Sequence, residues 1–361
     1  MEKFDNIINH PTTRCQVPEK LKAQKKNNQL NLSFTSKKEM NKRMIKVGFI
    51  GAGDISLLHA EGVQSSPNAQ LTGIWNRTRE KAEEKSKLFK CKVFDSVEVL
   101  IQSVDVVYVL TNMETHHQYA RMAIDAGKHV LIEKPTATTI EEIQDLEQAA
   151  QAKGVQVAPV HNYIYEPSVT RAKDLIESGR IGDLVSLYVL YNIHHPEKVA
   201  SRYPGVIRQI LTHHAYCTLY LVGAPEKISC MKATVNDGSV PQENIAMVTM
   251  KMKNNSLSHL CASFASDDHA GDPWTFMIKV IGTKGASRYS YRDWVENTPA
   301  TVHSQTYSAY PYTIRAMGTH FLEQVIGKGE KPLSSLEDAL TCMKMIEACE
   351  QSVEEERHIS L

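Results

Sequence analysis

Ile45-Lys46-Val47-Gly48-Phe49-Ile50-Gly51-Ala52-Gly53-Asp54-Ile55-Ser56 is the stretch on which the fold turns. A short apolar strand runs straight into Gly51-x-Gly53-x-x-Ser56, which opens a helix reaching Glu61. The two glycines permit a tight turn and close approach to a pyrophosphate, which rests on the N–H groups at the helix start. Serine in the third position is small enough for helix and strand to pack. The motif alone is weak, and the pattern of elements after it strengthens it. Residues 71–75 read as a strand, 78–89 as a charged amphipathic helix, 93–94 as a short strand and 97–101 as a brief helix. Residues 104–110 are nearly all β-branched or apolar, as a parallel strand buried on both faces requires. Next come a helix at 116–126 stopped by Gly127, a strand at 129–132, a helix at 140–153 and a strand at 155–160. This alternation predicts an α/β Rossmann domain, a doubly wound parallel sheet, over residues 44–160.

After His161 the rhythm changes. A helix at 168–178 stops at Gly179, and then come longer apparent strands at 184–193, 227–235, 245–252, 256–265 and 275–281. Asn236-Asp237-Gly238 and Asn254-Asn255 supply hairpin turns between them. One helix is predicted from 206 to 221 and another from 336 to 353. The expectation for 161–361 is an α+β domain with an open, mostly antiparallel sheet.

The remaining sequence differs in kind. Residues 1–43 are rich in Lys, Asn, Gln and Ser and read as a mobile extension. They lack the apolar stretch of a secretory leader, and no apolar run approaches the ~18 residues that span a bilayer. Lys plus Arg equals Asp plus Glu at 41 each, so charge gives no reason to expect nucleic acid or an anionic membrane as partner. Seven cysteines are scattered without a C-x-x-C pair, which fits buried thiols in a reducing cytoplasm.

The end of the second strand, Trp75-Asn76-Arg77-Thr78-Arg79, bears on the cofactor. An acid there binds the ribose hydroxyls of NAD, and an arginine can accept the extra phosphate of NADP. No carboxylate stands there; Asn76 can still bond a ribose hydroxyl, and Arg77 or Arg79 can pair with a phosphate. NAD is the expectation, with NADP open.

Glu133-Lys134-Pro135, after an apolar strand, brings a family into view. Together with Gly51-x-Gly53, Thr111-Asn112 followed by His116, Ala126-Gly127-Lys128-His129-Val130, Asn162-Tyr163, Gly179-x-Ile181-Gly182, Ile281-Gly282-Thr283-Lys284-Gly285 and Asp338-Ala339-Leu340, it makes the chain resemble the glucose–fructose oxidoreductase / inositol dehydrogenase / rhizopine-catabolism family, Gfo/Idh/MocA. The resemblance implies hydride transfer between nicotinamide and a sugar, inositol or related polyol, and homo-oligomers (dimer-based, tetramer or hexamer) built through the open sheet. It implies a cofactor-binding set of Gly51, Gly53, Asp54, Ile55, Asn76, Arg77, Thr111, Asn112, His116, Glu133, Lys134 and Asn162. It implies substrate contacts from Lys134, Tyr163, Gln209, His213 and His214. Lys134 carries over as the lysine between nicotinamide and substrate. His213 aligns with the histidine of the family's Asp-x-x-x-His motif, but Gln209 stands where the aspartate belongs, and Ile164 replaces an arginine often found after Asn-Tyr.

Oxidising a secondary alcohol needs a base for the hydroxyl proton. Histidine, with an ordinary pKa near ~6.5, suits that role. Four residues apart, Gln209 and His213 are expected on one face of a helix. Lys134 would then hydrogen-bond the same oxygen and stabilise alkoxide character. His214 is adjacent and points about 100° away, which favours core packing or a subunit contact over substrate. His194-His195 and Asp267-Asp268-His269 offer metal-binding side chains, but without ligand spacing, and no metal is expected. Trp274 is a candidate for stacking on a sugar or for simple packing. Two functions remain open: a cytoplasmic dehydrogenase of a sugar, a glycoside oxidised at C3 or an inositol, and a catalytically silent nucleotide-binding sensor of the same fold.

Overall fold

The computed structural model describes residues 43–195, 200–201, 203–235, 242–265, 274–290 and 309–361. The N-terminal segment 1–42, the turn Asn236-Asp237-Gly238, the loop Asp267-Asp268-His269 and the side chain of Trp274 lie outside them.

Burial divides the strands into two kinds. Val106, Val107, Tyr108 and Val109 are all fully buried, which only a strand covered on both faces achieves. That strand, β4 (Val106–Val109), sits beside β1 (Ile45–Ile50) in a six-stranded parallel sheet. The others are β2 (Ala69–Trp75), β3 (Lys92–Val93), β5 (His129–Ile132) and β6 (Val157–Pro159), in the order β3-β2-β1-β4-β5-β6. The connecting helices α1 (Ile55–Gln64), α2 (Arg79–Phe89), α3 (Val97–Ser103), α4 (His116–Asp125) and α5 (Ile140–Lys153) cover both faces. The doubly wound expectation holds.

The second sheet alternates buried and exposed positions, as in Ile245–Met252, so one face is packed and the other open. After α6 (Pro167–Glu177), its strands are β7 (Leu184–Ile193), β8 (Pro225–Ala233), β9 (Ile245–Met252), β10 (Leu257–Ser263), β11 (Trp274–Gly282), β12 (Ala286–Ser290) and β13 (Ile359–Ser360). Their order is β12-β11-β7-β10-β9-β8-β13. All pairs are antiparallel except β7 with β10. The helix expected over 206–221 is two: α7 (Val206–Gln209) and α8 (Leu211–Val222), broken at Ile210.

Two later segments return to the parallel sheet. Helix α9 (Ala309–His320) and the π-helical turn Phe321–Ile326 bury Ile314, Met317, Phe321, Leu322 and Val325 in the core beside β1 and α1. The Glu323 carboxylate anchors this segment, accepting from Asn68 Nδ2 at 2.6 Å and from the Ser66 hydroxyl. The first part of α10 (Leu336–Glu354) adds Leu336, Ala339 and Met343 to the core beside α4 and α5. Sequence periodicity assigns no element to 309–326.

Candidate active site

The strand order reverses between β1 and β4, and the crevice at the carboxyl ends of such strands is where α/β sheets bind ligands. Two contiguous clefts occupy it here. The outer, about 380 Å³, is lined by Gly51, Ala52, Gly53, Asn76, Arg77, Lys81 and Tyr119. The inner, about 400 Å³, is lined by His116, Lys134, Pro135, Tyr203, Pro204 and Gln209. Thr111, Asn112 and Glu114 border both.

The outer cleft has the shape of a phosphate cradle. Gly51 has φ +117, and a Cβ there would stand 2.6 Å from the Leu110 carbonyl oxygen, so glycine is required. A Cβ on Gly53 would project into open space. The Ser56 hydroxyl donates to Gly53 O at 2.6 Å and closes the turn from behind. The first turn of α1 carries no acidic residue, and Asp54 makes no capping bond. The first N–H groups of α1 are therefore not taken by a side-chain cap. These features fit a dinucleotide pyrophosphate. Asn76 lines this cleft; its Oδ1 accepts from Ala52 N–H at 3.1 Å and its Nδ2 donates to Thr78 O at 2.9 Å. It buttresses the glycine turn. Arg79 is engaged by Glu83 and Asp95 at 2.8 and 2.7 Å. Arg77 and Lys81 are the cations that line the cleft.

The inner cleft is built from braced backbone. His116 is buried, with its ring nitrogens 2.9 Å from Thr111 O and 2.8 Å from Pro135 O, so it ties two cleft walls together. Glu133 is buried too. Its Oε1 lies 2.8 Å from His59 Nε2, and its Oε2 accepts from Lys134 N–H at 2.9 Å. Burial works against ionising this carboxyl, yet the His59 bond and the nearby Lys134 charge hold its pKa below the usual value. Burial lowers the pKa of Lys134, while Glu133 opposes that. Glu133 thus positions Lys134 rather than facing the cleft.

Helix α7 brings in Gln209. Glu243 caps it, its carboxylate accepting from Ile207 N–H at 3.2 Å and its carbonyl from Val206 N–H at 3.1 Å. Gly205 has φ +118, and a Cβ there would collide with that carboxylate. Arg208 makes a fork to Glu350 with both bonds at 2.7 Å. This partly buried, two-pronged pair fixes the direction of α7. The break at Ile210 has a direct consequence. His213 N–H bonds Ile210 O at 3.0 Å, not Gln209 O. Gln209 O is released and accepts from Lys134 Nζ at 3.3 Å. The expectation of one continuous helix carrying Gln209 and His213 is corrected: Gln209 meets Lys134 through its backbone.

His213 is buried beside Lys134, and its Nδ1 lies 2.7 Å from the Tyr216 hydroxyl. Burial first, then the Lys134 charge and the nearby His214 and His161, push its pKa well below 6.5. The ring is neutral at pH 7 and able to accept a proton.

The sequence profile of the Gfo/Idh/MocA oxidoreductase family, NAD-binding Rossmann fold, matches residues 45–161, and that of the Gfo/Idh/MocA C-terminal domain matches residues 169–288. The chain belongs to the Gfo/Idh/MocA family. It is an NAD(P)-dependent oxidoreductase of the CH–OH class. Over 263 residues it is 26% identical to a glucose-6-phosphate 3-dehydrogenase of Bacillus subtilis, covering 68% of this chain and 74% of that protein. It is 29% identical over 221 residues to a UDP-N-acetylglucosamine 3-dehydrogenase of Acidithiobacillus ferrooxidans, covering 61% and 67%. The fold matches scyllo-inositol dehydrogenase from Lactobacillus casei, solved with NAD(H) and scyllo-inositol, with TM-score 0.76, 18% identity and 88% and 99% coverage.

As a Gfo/Idh/MocA member, the chain gathers Gly51, Gly53, Arg77, Thr111, Asn112, His116, Lys134 and Gln209 around the two clefts. His213 is not among the residues lining either cleft, and three further expected contacts lie behind the cleft wall. Tyr163 is fully buried, stacked on Phe276 at 4.2 Å and edge-on to His213 at 5.0 Å. Asn162 is fully buried and bonds Thr313. His214 has its ring nitrogens 3.0 Å from Ile210 O and from Cys261 O, and burial pushes its pKa to about 4. It locks α8 onto β10. Sequence reasoning missed Tyr203, Glu114 and Glu243. Glu114 has a signal in its place two residues after Asn112; Tyr203 and Glu243 reach the site only through the tertiary fold. No helix among the described residues is long and apolar enough to cross a membrane.

Proposed function

We propose that the chain transfers a hydride between nicotinamide and a secondary hydroxyl of a sugar ring, at C3 of a hexopyranose, with Lys134 and His213 at the reacting oxygen. The observation that carries this is Lys134 on the wall of a cleft continuous with the glycine cradle, with a neutral, buried His213 beside it. The two 3-dehydrogenases among the relatives support C3.

Gly51, Gly53 and the first turn of α1 would hold the pyrophosphate, and Thr111 and Asn112 border the passage toward Lys134. When bound, NAD(P) supplies the hydride acceptor. His213 takes the hydroxyl proton, and Lys134 donates a hydrogen bond to the oxygen as it gains negative charge. The carbinol carbon loses its hydride and becomes a ketone; the proton leaves through His213. Lys134 is fixed by Gln209 O, so the donor is in place before substrate arrives.

Arg77 and Lys81, with no carboxylate at the end of β2, support acceptance of the NADP phosphate alongside NAD binding. The open face of the second sheet exposes Met231, Met247, Leu257 and Tyr188. An apolar sheet face of this kind supports a homo-oligomer formed through it. The demand for NAD(P) supports a cytoplasmic location.

The test is incubation of the full chain with NAD or NADP and a panel of hexoses, hexose phosphates, nucleotide sugars, glycosides and inositols. Reduced-nicotinamide absorbance and a 2-dalton mass loss in the sugar, located at C3, are expected. Cofactor binding with no product across the panel would favour the silent sensor.

A further inference from the structure

Behind His213 runs a chain of hydrogen bonds whose direction can be read from its far end. The Tyr310 backbone carbonyl can only accept, and the Thr313 hydroxyl donates to it at 2.8 Å. With its single hydrogen used, Thr313 Oγ1 accepts from Asn162 Nδ2 at 2.7 Å. The Asn162 amide is thereby oriented, and its Oδ1 faces Tyr216 and accepts from that hydroxyl at 3.1 Å. The Tyr216 oxygen has no hydrogen left to give. It accepts from Tyr163 N–H at 3.3 Å, and its bond with His213 Nδ1 at 2.7 Å can only be a donation from the ring. A neutral histidine has one N–H. With it on Nδ1, the lone pair sits on Nε2, which has no hydrogen-bond partner among the described residues.

We infer that the Tyr310 carbonyl–Thr313–Asn162–Tyr216 relay fixes His213 as its Nδ1–H tautomer, so that Nε2 is the atom that takes the substrate proton. Thr313, Asn162 and Tyr216 are positioning residues. They stand where a carboxylate acting on the base is missing, since position 209 is glutamine. An uncharged relay selects the tautomer without adding charge to a buried ring. The members come from three places: Tyr310 and Thr313 on α9, Asn162 in the turn after β6, and Tyr216 and His213 on α8. All of the side chains involved are buried. Reversing the relay would require Thr313 to give up Tyr310 O, or leave a buried donor facing a donor, each a cost that buried polar groups avoid.

The relay's role rests on the reading of His213 as the base, so the test separates the two. The full chain carrying ¹⁵N-histidine is examined by long-range ¹H–¹⁵N NMR at neutral pH, with the His213 signals assigned by their loss in His213→Gln. Nδ1 is expected as the protonated, pyrrole-type nitrogen and Nε2 as the pyridine-type. Thr313→Val, nearly isosteric, removes the terminal anchor, and His213 should become a mixture of tautomers; Thr313→Ser should restore the single form. Tyr216→Phe should do the same to the signal as Thr313→Val. With a turned-over substrate in hand, Tyr216→Phe should lower kcat about tenfold or more with little change in KM, because it misorients the base and leaves substrate binding intact. A wild-type His213 protonated on Nε2, or a tautomer unchanged in both Thr313→Val and Tyr216→Phe, overturns the inference. Should the tautomers behave as stated while no substrate is oxidised, the relay stands and the dehydrogenase reading fails.

Discussion

At the outer end of the cleft, the glycine turn, Asn76 and the start of α1 lie within about thirty residues of one another, and the working groups are backbone N–H donors. At the inner end, Lys134, Gln209 and His213 arrive from β5, α7 and α8, braced by Glu243, Glu350 and Thr313 from farther along the chain. In the function proposed above, the first end recognises charge with main chain that a short motif can specify, and the second does chemistry with side chains that only the assembled tertiary structure places. Substitutions should therefore part along that line, with binding failing at one end and turnover at the other.

The largest effect is expected at Lys134. Lys134→Met should cut kcat by about 10²–10³-fold, the usual cost of removing a donor to a developing oxyanion, while a fluorescence titration shows cofactor affinity little changed. Loss of cofactor binding in that variant would erase the distinction between the two ends. Gly51→Ala should do the reverse. It forces a Cβ toward Leu110 O at φ +117, so cofactor affinity and thermal stability should both drop, the latter by roughly 1–3 kcal/mol. A variant with unaltered cofactor affinity would contradict the cradle.

The buried histidines give a pH signature. Burial lowers His161 to about 3 and His214 to about 4, while in the unfolded chain both protonate near ~6.5. The folded pKa values are the lower ones. Stability is therefore complete above about pH 6.5 and falls as the pH drops toward the folded values, by roughly 1.4 kcal/mol per pH unit for each group. Thermal unfolding followed from about pH 7 down to about 4.5 checks this; a Tm flat over that range would show that the rings protonate in place. The proposed reaction requires a neutral His213 and a charged Lys134, and both pKa values are lowered. The kcat/KM profile should have its acid limb below pH 6.5 and its alkaline limb below pH 10.5. The smallest effect is at the outer rim. Arg77→Ala should weaken NADP binding by about 1 kcal/mol, in the range of a partly exposed charge-assisted contact, and leave NAD binding nearly unchanged.

What could be read from sequence follows the same division. Gly51-x-Gly53, the buried run at 106–109 and Glu133-Lys134-Pro135 announce the parallel sheet and its cofactor edge, because each is a local response to a local demand. The break at Ile210 is not legible in this way. Residues 206–221 keep a helical apolar pattern, and the interruption comes from Glu243 and Arg208 fixing α7 in its own direction. The motif around Tyr163 and Asn162 suggests ligand contacts; the structure places both residues one layer back, where they hold His213. Thr313 has no signal, since nothing near it in sequence indicates that α9 returns to the first sheet.

The most direct test of the division is the fate of one hydrogen. Hexopyranosides carrying deuterium at C3 are given to the wild-type chain and to Lys134→Met, each saturated with NAD, in a single turnover. The wild type should deliver deuterium to the reduced nicotinamide and release the 3-keto sugar, and Lys134→Met should bind cofactor yet transfer the label roughly a hundredfold more slowly or worse. Transfer at the wild-type rate by Lys134→Met, or reduction of nicotinamide with the deuterium still on the sugar, would contradict the assignment of the inner end as the place where the C3 hydride leaves.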